Sequence, residues 1–178
     1  YDDNTEQDRR LTCIFRFRRL PATFNINTGS FGENRWIEHC GFYCEHNRIE
    51  EKEVKSLYNG FEVASHTVDH VILPEVDKYT FDYQVTADCK KIGKLCGVDA
   101  VGLAYPCGCY DDKTAEHLKE LGVRYARTIN DTHSFALPED FLKWHPTCHD
   151  HDPRIGELAD LFLNDNGDEL KLFYIWGH

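Results

Sequence analysis

Strand-like segments and helix-like segments alternate along almost the whole chain, and that order constrains the fold more than any other feature. ATFNIN (22–27), FEVAS (61–65), VDAVGLAY (98–105), VRYART (123–128) and LKLFYIW (170–176) are short, apolar or alternating, and read as strands. EQDRRLTCIFRFRRL (6–20) places Leu11, Ile14, Phe15 and Leu20 at helical spacing, and Pro21 ends it. Helices are likewise expected at 47–59, 80–97, 112–122 (closed by Gly122) and near 155–163. Residues 28–46 and 129–153 lack either period and read as irregular. Such alternation implies parallel βαβ units, so the expected class is α/β. At 178 residues the chain is expected to be one domain, 1–178. If the sheet closes into a barrel, chemistry belongs at the carboxyl ends of its strands.

Charge narrows the partners. Lys+Arg 20 against Asp+Glu 31 gives −11 with histidine neutral, a field that repels phosphate backbones, so no nucleic-acid partner is expected. The basic run RFRRL (16–20) reads as the solvated end of a helix. No segment approaches the ~20 apolar residues of a membrane span, and no signal region is recognisable. A soluble chain is expected, cytoplasmic or secreted; oligomeric state stays open. Eight cysteines are scattered without paired CxxC spacing, which disfavours a zinc ribbon and favours small buried hydrophobes. Cys40 with Cys44, or Cys107 with Cys109, are the pairs that an oxidising compartment would join.

The reactive side chains stand directly after predicted strands: His66 after FEVAS, Tyr105-Pro106 after AVGLA, Arg127 at the end of VRYA, His178 after LKLFYIW. HTVDH sets His66 and His70 four apart, so a helical turn or similar loop would aim both imidazoles one way. Alone, the spacing fits a metal pair or two unrelated histidines equally. Asp3 would complete a two-histidine, one-carboxylate set suited to a hydrolytic metal, and a non-haem iron site uses the same set. The neighbouring pair Asp2-Asp3 is otherwise the mark of an exposed turn. His145, His149 and His151 lie in the long loop and read as solvated.

Taken in order, YDDN, SHTVDH, AYPCG and IWGH resemble the motifs of the polysaccharide deacetylases, carbohydrate esterase family 4. The resemblance spans essentially the whole chain. It implies a distorted (β/α) barrel, here expected to lack its first strand and to be truncated at both ends. It also implies Asp3, His66 and His70 as ligands of a divalent metal, zinc foremost with cobalt, nickel or iron as alternatives. By the same resemblance Asp2 is the general base and His178 the general acid. Tyr105, Pro106, Cys107 and Trp144 would contact substrate, with a backbone N–H near Cys107 facing the oxyanion. The family often has an arginine where this chain has Ala104; Arg127, on the next strand, is the expected substitute. The implied activity is removal of acetyl groups from a carbohydrate, an N-acetylglucosamine polymer ahead of acetylated xylan. The competing readings are a carbohydrate-binding relative without turnover and a non-haem iron oxygenase.

Overall fold

Parallel pairing organises the molecule. In the computed structural model, which describes residues 1–39 and 41–178, four strands form one parallel sheet in the order β1-β4-β5-β6: Thr23–Ile26, Glu62–Ser65, Gly102–Ala104 and Tyr125–Arg127. Single parallel bridges extend both edges, Asp2 to Asn25 and Arg127 to Trp144. The segment carrying the two N-terminal carboxylates is therefore laid along β1 as a further rung, with Asp3 N–H donating to the Asn25 carbonyl at 3.0 Å and Asn25 N–H to that of Tyr1 at 2.7 Å. A second parallel pair, β7 (Cys148–His149) with β8 (Ile175–Trp176), holds the C-terminal segment.

Helices cover the sheet where their caps allow. α1 (Asp8–Arg18) stops at Arg19, whose φ of 56° turns the chain back. α3 (Lys78–Cys96) starts on Asp77, which accepts from Thr80 N–H, and ends at Gly97 in the left-handed region, φ 78°. α4 (Asp112–Glu120) starts in the same way on Asp111. α2 (Val54–Leu57) is a single turn preceded by a 3₁₀ turn, shorter than the helix expected over 47–59; α5 spans Ile155–Leu163. Two apolar cores result. One, around Phe24, Ile26, Ile49, Tyr58 and Ile92, lies under α1 to α3; the other, around Leu73, Phe81, Leu103, Tyr105 and Leu118, lies under α3 and α4. β5, Gly102–Ala104, is buried at every position, as its apolar run requires, whereas β1 buries Asn25 between Phe24 and Ile26.

Three expectations change. The stretch at 28–46 contains an antiparallel hairpin, β2 (Trp36–His39) with β3 (Phe42–Glu45). The strand expected at 170–176 shrinks to β8, and the loop expected at 129–153 contains β7. Cys107 and Cys109 are free thiols; Cys40, and with it the Cys40–Cys44 pairing, lies outside the described residues. No helix among the described residues is long and apolar enough to cross a membrane.

One buried carboxyl ties stability to pH. Asp8 opens α1 but is 2% exposed and accepts from the Tyr58 hydroxyl at 2.6 Å. Burial pushes its carboxyl up to about 7, against the pull of that hydrogen bond. The folded state therefore holds a proton that the unfolded chain releases near the ordinary carboxyl value, so stability should fall as pH rises from about 4 to about 7 and level off above. Asp88, raised to about 6 by burial, adds slope in the same direction. Asp8→Asn should remove its share, on the order of a few kcal/mol. Urea unfolding at pH 5 and 7.5 reads this; an unchanged difference between the two pH values in the variant would show that Asp8 is not the cause.

Candidate active site

The carboxyl ends of β1, β4, β5 and β6 meet the Asp2-Asp3 segment at one rim. The N-terminal segment and the loops after β4 and β5 leave regular geometry there: Asp3, Thr67, His70 and Cys107 all sit at positive φ, 78°, 65°, 56° and 54°. Non-glycine residues adopt that region at a cost, and such outliers concentrate where a side chain is aimed for function. His66 and His70 are thus brought together by a left-handed loop rather than a helical turn. Gln84 of α3 pins this loop, accepting from Asp69 N–H at 2.9 Å and from Val68 N–H at 3.1 Å. Asn27 secures its start by donating to the carbonyls of His66 and Thr67.

The two neighbouring carboxylates have separate partners. Asp3 Oδ1 lies 3.9 Å from His66 Nε2 and 3.9 Å from His70 Nε2. His66 Nδ1 is 2.7 Å from the Ala104 carbonyl, which can only accept, so the proton sits on Nδ1 and Nε2 presents a lone pair. Burial lowers the His66 pKa to about 4 and lowers that of His70 too, so both rings are neutral near pH 7. For Asp3, burial pushes the pKa up, but His66, Arg48 and His70 outweigh it and hold the carboxyl below its usual range. With His66 neutral, Arg48 is the permanent cation beside it.

A divalent ion fits this set. One ligand atom from each of Asp3, His66 and His70 lies within 4.8 Å of the others, and Asp3 Oδ1 is buried with no hydrogen bond; Arg48 Nη1 is 3.1 Å away but outside hydrogen-bond geometry. Donors about 2 Å from a tetrahedral ion stand about 3.3 Å apart, so the 3.9 Å gaps lie a few tenths of an ångström outside a closed site.

Asp2 turns the other way. Its Oδ1 accepts from Asn25 Nδ2 at 2.8 Å and its Oδ2 from Arg127 Nη2 at 2.5 Å; His178 Nε2 stands 3.9 Å from Oδ2. Burial would raise its pKa, yet Arg127, with His66 and the amino terminus behind it, holds the carboxyl well below the usual range. Arg127 is the register partner of Ala104 on the adjacent strand. Arg127 therefore stands beside position 104 on the neighbouring strand, with Asp2 as its partner. Its guanidinium lies 5.0 Å from the centre of the Trp176 ring, and its Nη1 donates to the Thr128 carbonyl at 3.1 Å.

Other residues expected to contact substrate are placed differently. Tyr105 is 1% exposed and its hydroxyl donates to the Leu142 carbonyl at 2.8 Å, so its ring belongs to the core. Pro106 is buried, while Cys107 is exposed at the rim; the neighbouring N–H groups of Gly108 and Cys109 close turns on Tyr105 and Pro106. Trp144 packs against Phe141 and Tyr174, ring centres 5.2 and 5.3 Å apart, and its backbone bridges Arg127. The aromatic beside Arg127 and His178 is Trp176, whose Nε1 donates to Asp131 at 2.7 Å. Sequence reading passed over it although it stands two residues before His178. Asn25, His46 and Arg48 were also missed; His46 Nε2 is 3.4 Å from Asp3 Oδ2.

A family model described as polysaccharide deacetylase matches residues 1–126. The chain belongs to the polysaccharide deacetylase family. Solved structures agree on the fold. A Streptococcus pyogenes deacetylase, PplD, in complex with acetate superposes with a TM-score of 0.62 at 21% identity, covering 73% of this chain and 54% of that one. BC0361, a polysaccharide deacetylase from Bacillus cereus, gives 0.64 at 21% identity, with 81% and 44% covered. IcaB from Ammonifex degensii gives 0.59 at 20%, with 73% and 57% covered. The chain thus spans about half the length of these relatives. No curated protein sequence matches it.

Proposed function

We propose that this polysaccharide deacetylase family member is a metal-dependent hydrolase that removes acetyl groups from a carbohydrate, N-acetylglucosamine polymers ahead of acetylated xylan. The observation that carries the reading is the division of partners between two adjacent buried carboxylates, histidines for Asp3 and an arginine with His178 for Asp2. Asp3, His66 and His70 would hold the ion, zinc foremost, with cobalt, nickel or iron as alternatives. When bound, it supplies a Lewis acid for the acetyl carbonyl and makes water easier to deprotonate.

The chain's own groups do the rest. Asp2, kept ionised by Arg127, takes the proton of the attacking water at Oδ2, the oxygen that faces His178. His178 Nε2 then delivers a proton to the departing amine or alcohol. The Cys107 N–H is the backbone donor assigned to the developing oxyanion. Trp176 offers an apolar wall for the sugar while holding Arg127 in register.

Acetate release from acetylated chitooligosaccharides and acetylated xylan tests this directly. It should vanish with chelator and return with Zn²⁺ or Co²⁺. Sugar binding without acetate under any metal would instead identify a non-catalytic relative. Activity untouched by exhaustive chelation would sink the metal assignment.

A further inference from the structure

Asp2 has an arginine of its own, and so does Asp3, although nothing in the chemistry proposed above calls for the second. Arg48 follows β3, with its side chain 1% exposed. Its backbone is laced on both sides: its N–H donates to the Glu33 carbonyl at 2.8 Å, it bridges Thr5 in antiparallel fashion, and Ile49 N–H donates to the Asn4 carbonyl at 2.9 Å. From that fixed base Nη1 donates to the Asp3 carbonyl and stands 3.1 Å from Asp3 Oδ1. Both contacts fall on the residue whose φ is 78°, and Asn4 after it is also left-handed, at 41°. A left-handed pair of non-glycine residues persists only where surrounding contacts determine it.

We infer that Arg48 is a positioning residue for the metal site: it clamps the left-handed Asp3 peptide and thereby directs Oδ1 toward His66 and His70. The inference rests on the metal-site reading above. Both contacts are made by the one atom Nη1, so the clamp needs a nitrogen held in a fixed place beside the carbonyl and the carboxylate. The rigid guanidinium is pre-organised to hold it there, whereas an ammonium on a flexible four-carbon stem supplies the charge without fixing its position. Simple neutralisation of a buried carboxylate would be satisfied by either cation, so lysine separates the two roles.

The test measures Zn²⁺ and Co²⁺ affinity of the whole chain by competition with a chromophoric chelator, in wild type, Arg48→Lys and Arg48→Met. Both variants should bind about 10- to 100-fold more weakly, the effect typical of groups that orient a ligand. The visible spectrum of the cobalt form should change, while the metal-free Arg48→Lys protein keeps the wild-type helix signal and urea midpoint. Wild-type affinity in Arg48→Lys would overturn the inference in favour of charge alone. So would affinity losses that merely track loss of folding in both variants, or a wild-type chain that binds neither metal. A wild type that binds metal but releases no acetate would refute the deacetylase reading, and the variant affinities would still decide whether Arg48 positions Asp3.

Discussion

Asp2→Asn is expected to lower acetate release by about 10²- to 10⁴-fold, the range that a positioned general base contributes, with metal affinity unchanged. The substitution is nearly isosteric, and an amide oxygen still accepts from Asn25 Nδ2 or from Arg127. What it cannot do is take a proton. Asp3, His66 and His70 keep their places, so metal titration and acetate release should separate cleanly. Arg127→Met is a blunter cut into the same pair. It leaves Asp2, 3% exposed, without its cation, and breaking a buried pair from one side costs about 3–5 kcal/mol. The double variant with Asn at position 2 should recover part of that stability but none of the rate. Full activity in Asp2→Asn would remove Asp2 from the chemistry and with it the division of labour between the carboxylates.

His66→Ala should abolish metal binding at micromolar concentrations and acetate release together. His66 is 2% exposed, is held through Nδ1 by the Ala104 carbonyl, and faces Asp3 through Nε2. Removing a ligand should exceed the roughly 10- to 100-fold penalty seen when only an orienting group is lost. His70→Ala, at a side chain 32% exposed, should bind weakly rather than not at all. Equal metal content in wild type and His66→Ala, measured after dialysis, would rule out the proposed ligand set.

The sequence made the helix–strand alternation legible because a parallel sheet buried on both faces needs apolar runs separated by amphipathic helices. Asp3, His66 and His70 were legible because their order and residue types repeat a family pattern, and Arg127 because it ends a strand that the pattern places at the rim. Arg48 and the β2–β3 hairpin were not. Arg48 sits in a segment patterned like a helix, NRIEEKEVKSLYN, and its role depends on a backbone conformation at Asp3 that no period encodes. Tyr105 misled for a related reason. The motif fixes its position along the strand but not which way its ring turns, and here the ring faces the core. Trp176 ends a predicted strand whereas Trp144 lies in a stretch read as irregular, and the ring that Arg127 meets is that of Trp176.

The contacts that assemble the rim also join distant parts of the chain. The bond from Arg127 to Asp2 spans 125 residues and that from Arg48 to Asp3 spans 45, whereas the caps of α3 and α4 close over three. Closures of that length come late in folding, after the local and sheet contacts that make them affordable. The rim thus carries long loop closures, and an ion joining Asp3 to the His66–His70 loop would act as a latch across them.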